Sequence, residues 1–136
     1  MKRFVSLALS LAVFATIGCS SVMAQQTAPP ANYKKVSTLV ALPDFVPGLG
    51  TLYVDPATLP AGPFLAYDRQ GTLVSSVYMI PVKDITAYKA FNNLAVAKEK
   101  VDHVDMYYNA GHPGVAEPHY HVVIWYVSPQ QAAALK

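Results

Sequence analysis

VDHVDMYYNAGHPGVAEPHYHVVIWYV, residues 101–127, carries two strand-forming runs joined by a connecting loop. Residues 101–108 and 119–127 are rich in Val, Ile, Tyr and Trp, which suit a pleated, half-buried surface. The loop between them, 109–118, would lie over one end of an antiparallel pair. Successive strand side chains point to opposite faces, so His119 and His121 share a face. His103 and Asp105 share a face of the preceding strand by the same parity.

The rest of the chain also has the pattern of a sheet. Residues 36–42, 51–54, 64–67 and 72–80 are strand candidates, punctuated by Pro43, Pro47, Gly48, Gly50 and the Pro60–Pro63 turn segment. Asp68-Arg69-Gln70-Gly71 suits a hairpin closed by a type I turn and a glycine bulge. The alternation along Leu73, Ser75, Val77 and Met79 leaves the buried face of that strand open. Residues 81–99 change period: Ile85, Tyr88, Phe91 and Leu94 recur at spacing three, predicting one helix with Asp84 as its N-cap, docked on the sheet. Ser128-Pro129-Gln130-Gln131 reads as N-cap, Pro at the first helical position and Gln at the third, opening a short terminal helix. The sum is an α+β fold: a mostly antiparallel sheet, sandwich or barrel-like, with one or two short helices.

Before that sheet comes a leader. Lys2 and Arg3 precede an almost wholly apolar run to Gly18, shorter than the roughly 20 residues a membrane span needs. Charged start, short apolar core and small-residue exit describe a secretory signal peptide. Val22-Met23-Ala24 fits ordinary cleavage and is the favoured exit. Thr16-Ile17-Gly18-Cys19 is a poorer, lipoprotein-like exit that would anchor the chain through Cys19. The expected organisation is a signal peptide over 1–24, a flexible Pro-rich lead-in over 25–35 and one β-rich domain over 36–136. The expected destination is the periplasm or the outside of the cell.

Composition narrows the function. Cys19 is the sole cysteine, which leaves the mature chain no disulfide and no thiolate catalysis. Without Lys2 and Arg3, eight basic side chains face eight acidic ones. No Lys/Arg cluster remains to bind nucleic acid, and a near-neutral, apolar surface favours a homo-oligomer. Pro47-Gly48-Leu49-Gly50 lacks the Lys and the following helix of a phosphate loop. Ser75 and Ser76 have no recognisable base beside them, so any chemistry falls to histidine, carboxylate or metal.

All four histidines of the chain, His103, His112, His119 and His121, fall in the quoted stretch. Two strand positions at i and i+2 plus one loop residue can supply three imidazoles to zinc, copper or nickel. Asp105 or Glu117 could add a carboxylate ligand or fix a tautomer as a supporting acceptor. Tyr107, Tyr108, Tyr120, Trp125 and Tyr126 read first as sheet packing.

Asp102-His103-Val104, Asn109-Ala110-Gly111-His112-Pro113 and Pro118-His119-Tyr120-His121 together resemble the TTHB210-like, DUF5602-type exported bacterial proteins. The resemblance covers residues 102–126. In the family pattern Asp more often stands two positions after the Pro-His histidine, with another His beyond; here those places hold His121 and Val123. The resemblance implies an exported, histidine-bearing domain rather than a particular reaction. The leading expectation is a metal site of His112, His119 and His121, with His103 as fourth ligand or support. A metal- or His-dependent hydrolase of a small-molecule envelope substrate, in which His103 with Asp105 orients or activates a water, and a structural oligomer whose histidines only stitch strands and loop together, stand as alternatives.

Overall fold

The computed structural model describes residues 26–136, so the leader and both of its exits lie outside the described residues. Six strands form one sheet: β1 (Lys34–Lys35), β2 (Thr51–Val54), β3 (Phe64–Tyr67), β4 (Leu73–Pro81), β5 (His103–Asn109) and β6 (His119–Trp125). Their spatial order is β1-β2-β3-β4-β6-β5 and every neighbouring pair is antiparallel. Two short helices, α1 (Val82–Thr86) and α2 (Pro129–Ala133), complete the β-rich α+β fold.

Strand β4 is buried at all nine positions. With both of its faces covered, no polar face exists to mark which side is inside, and the alternation there is unreadable for that reason. One face packs Val54, Phe64, Ala66, Val77, Met79, Val123 and Trp125 against Val40, Leu42 and Phe45 of the 36–50 segment and Leu135 after α2. The other packs Leu65, Tyr67 and Leu73 against Tyr33, Ala97 and Tyr126. Strand β5 is an edge, and its Val104, Met106 and Tyr108 are exposed.

The 68–71 hairpin forms as read. Asp68 donates its N–H to the Thr72 carbonyl at 2.9 Å, Gly71 takes φ +80, and the ladder shifts register at Ala66/Tyr67. The terminal helix also forms, with Ser128 and Gln131 in a reciprocal capping box. Its chain end is anchored by the Gly48 N–H, which donates to the Leu135 carbonyl at 2.7 Å. Ser128→Ala therefore leaves an end of α2 uncapped and is expected to destabilise the fold by about 1 kcal/mol. The midpoint of urea unfolding would read this, and an unchanged midpoint would mean that packing of Leu135 alone holds α2.

Three readings need correction. Residues 36–42 are not a strand: only Lys34–Lys35 pair with β2, and Val36–Thr38 form a 3-10 turn. The Thr38 hydroxyl bonds the Lys35 carbonyl and the Ser37 hydroxyl bonds Asp44, so side-chain bonds displace the ladder here. From Gln26 on, part of the segment read as a flexible lead-in is tied down, since Leu73 donates to the Gln26 carbonyl and Gln26 to the Glu99 carboxylate.

The helix expected over 81–99 ends at Thr86, and its N-cap is Pro81, with Asp84 inside the first turn. A spacing of three drifts by about 60° per step on a helix of 3.6 residues per turn, so Ile85, Tyr88, Phe91 and Leu94 never share one face. Tyr88 and Asn93 instead adopt positive φ, and Ile85, Tyr88 and Leu94 are exposed. The segment crosses the sheet irregularly, held by the Tyr78 hydroxyl on the Ala95 carbonyl and the Ala97 N–H on the Tyr126 hydroxyl.

Candidate metal centre

The β5–β6 register decides which histidines meet. His119 stands opposite Asn109, His121 opposite Tyr107, and His103 opposite Trp125. Cross-strand partners share a face, so all these side chains lie on one side of the sheet. Because β6 is flanked by β4 and β5, His119 is wholly buried and His121 nearly so.

His112 arrives from the loop. The His112 and Val115 backbones exchange two hydrogen bonds at 2.9 Å around Pro113-Gly114, and Gly114 takes φ +89. Pro then Gly with positive φ is the sequence a type II turn requires. Upstream, the Asn109 side chain accepts from the Gly111 N–H at 2.8 Å. Downstream, the Pro118 carbonyl accepts from the N–H of Val82, the first residue of α1. The loop is thus fastened at both ends and in the middle.

These elements bring three imidazole nitrogens to one point. Nε2 of His119 lies 3.0 Å from Nε2 of His121 and 3.2 Å from Nε2 of His112, and the last two are 3.3 Å apart. Metal–nitrogen bonds of 2.0–2.1 Å at tetrahedral angles separate ligand nitrogens by about 3.3 Å. The triangle therefore has the dimensions of three ligands on one ion, with one coordination position left over.

The outer ring nitrogens explain why the inner ones point there. His119 Nδ1 meets the Glu117 carbonyl at 2.6 Å and His112 Nδ1 the Pro113 carbonyl at 3.0 Å. A carbonyl only accepts, so in the neutral rings both Nδ1 atoms carry the hydrogen and both Nε2 atoms present lone pairs. Two acceptors then face each other at 3.2 Å. His121 Nδ1 sits 3.0 Å from the Tyr107 hydroxyl; even if that hydroxyl donates, the single hydrogen on His121 Nε2 cannot satisfy both neighbours. A cation at the centre of the triangle satisfies all three.

Electrostatics agree with the geometry. Burial, then the neighbouring His119 and His112, lower the His121 pKa from 6.5 to about 4. The unfolded chain takes up this proton near 6.5 and the native one only near 4, so protons favour the unfolded state in that window. Metal-free protein is therefore expected to lose stability as the pH falls from about 6.5 to about 4, and to level off below. Melting temperatures of chelator-treated protein test this; a flat profile across the window would show that His121 keeps an ordinary pKa.

The other candidates lie elsewhere. His103 is on the correct face but four residues along the ladder from the Tyr107–His121 pair, about 13 Å at 3.3 Å per residue. There it stacks on Trp125 and pairs with Asp102 at 2.8 Å. Asp105 accepts from Trp125 Nε1 at 2.8 Å and lies 3.8 Å from His103. Glu117 serves the site through its backbone carbonyl, while its carboxylate pairs with Lys83. Tyr107, read from the sequence as packing, is the supporting residue that the reading missed. Its parity with His103 and Asp105 was the available signal.

What results is a β-rich α+β sheet protein whose interior strand β6 and adjoining loop converge three histidines on one point. The crystal structure of hypothetical protein TTHB210 from Thermus thermophilus is similar, with TM-score 0.62 and 48% identity, covering 70% of this chain and 87% of that one. The chain belongs to the family of TTHB210. No protein-family model matches it, nor does any curated protein. Among the described residues no helix is long and apolar enough to cross a membrane.

Proposed function

We propose that this chain is an exported bacterial envelope protein that binds one divalent transition ion, zinc, copper or nickel, through Nε2 of His112, His119 and His121. The observation that carries the reading is the triangle of Nε2 atoms 3.0–3.3 Å apart, two of them fixed as lone-pair donors by carbonyls behind the rings. Imidazole is a good ligand for these ions, and carbonyl acceptors on the outer nitrogens are the usual support for such ligands. Export rests on the leader over 1–24, read from its charge and hydropathy pattern. His103 and Asp105, held by Asp102 and Trp125, stand outside the binding set.

Elemental analysis of untagged mature protein, followed by titration of chelated protein with each ion, tests the proposal. One tightly held ion per chain is the expected result. Ion content below one in ten chains after titration would overturn it. Cell fractionation tests export independently, and retention of the full-length chain in the cytoplasm would overturn that part.

A further inference from the structure

An apolar cavity of about 370 Å³ reaches the histidine triangle. His112 and His121 line it, while His119 lies behind them, wholly buried. The rest of the wall is aliphatic and aromatic carbon, including Val40, Leu49, Leu52, Phe64 and Met79. Among the described residues, its polar side chains are the two histidines, Tyr107 and Asn109, all carried by β5, β6 or the loop between them. The cavity therefore has one polar end and an otherwise apolar body.

We infer that this site takes a small amphiphile, a monocarboxylate whose head occupies the free coordination position and whose apolar tail fills the cavity. The inference rests on the metal reading above. Three neutral imidazoles leave both charges of a divalent ion uncompensated, and among the described residues no Asp, Glu, Lys or Arg lines the cavity. The complementary head is anionic and compact. Pockets of this size hold small ligands. At the roughly 30 Å³ that a water-sized atom occupies in a liquid, the volume admits about twelve heavy atoms. An unbranched carboxylate of about eight to ten carbons meets both conditions.

Calorimetry of zinc-loaded, untagged mature protein with butyrate, hexanoate, octanoate and decanoate tests this, with zinc content measured on the same samples. Affinity is expected to rise about fourfold per methylene until the cavity is full. Octanol, which lacks the anionic head, is expected to bind at least tenfold more weakly than octanoate. Leu52→Trp, which fills the cavity, should keep one zinc per chain and lose octanoate binding at least tenfold. Leu49→Trp repeats the test from a different part of the wall should the first variant fold poorly. Affinity independent of chain length, or unchanged octanoate binding in both zinc-loaded variants, would overturn the amphiphile and leave the metal site standing. A protein that takes no zinc overturns the metal reading and the carboxylate head together, and the zinc measurement identifies that failure directly.

Discussion

His119→Ala is expected to lower bound metal from one ion per chain to less than one in ten, and to remove the effect of chelator on the melting temperature. His119 is the most constrained of the three ligands. It is wholly buried on β6, which is flanked by β4 and β5, and its Nδ1–H is committed to the Glu117 carbonyl at 2.6 Å. Alanine leaves His112 and His121 as a two-ligand site, with no described carboxylate or cysteine in the cluster to replace the third. An ion present at a thousand times its Kd stabilises the native state by about 4 kcal/mol. For a chain of this size that corresponds to a melting-temperature difference of over ten degrees, about 4–8 °C per kcal/mol near 100 residues.

The comparison that isolates the metal is between chelated samples. Chelated wild type retains the clash of lone pairs in its triangle, and the alanine variant does not. The two should therefore lie closer together without metal than with it. His103→Ala supplies the contrast from the same strand pair. It removes a ring stacked on Trp125, so it should lower stability modestly while metal content stays at one. Full metal content in His119→Ala would place the ion elsewhere.

How far this site can be read before folding depends on which geometry each residue relies on. His119 and His121 need only strand parity, which is a local rule, and they were legible. His112 needed a loop to fold back over the strands, and only its position between two strand-like runs and a family resemblance suggested it. His103 shows where parity stops. It correctly shares a face with the triad, but its height along that face follows from the pairing of His103 with Trp125, a long-range register set by the whole loop. The carbonyls of Glu117 and Pro113, which orient two of the rings, carry no side-chain signature at all. The same limit governs the fold. Local turn chemistry specified the 68–71 hairpin and the capped α2, whereas residues 87–100 were decided by contacts with Tyr78 and Tyr126 that lie far off in sequence.

The loop also supplies the second large expected effect, Gly111→Ala. Gly111 sits at φ +130, a conformation that residues with a Cβ rarely adopt, and an added Cβ would stand 2.6 Å from the Ala116 carbonyl oxygen. The oxygen belongs to the backbone, so no side chain can swing aside to relieve the contact. The chain between 111 and 116 must open, and the pair of bonds joining His112 to Val115 lies inside that opening. His112 is the one ligand not fixed by the sheet, so displacement falls on the triangle before it reaches β5 or β6. Metal affinity is expected to drop at least 10–100-fold, roughly the range seen when the support of a ligand is lost. The chelated protein should lose only about 1–3 kcal/mol, the strain of one forced backbone position, because the six-stranded ladder excludes residues 110–118. Gly50→Ala gives the opposite pattern. Its Cβ would meet the Tyr67 carbonyl oxygen at 2.5 Å beside β3, so stability should fall by more than in Gly111→Ala while the His112 loop keeps its shape. A chelator-competition Kd alongside the melting temperature of chelated protein separates the two outcomes. Unchanged metal affinity in Gly111→Ala would mean that the ion itself, rather than the folded loop, draws His112 into place.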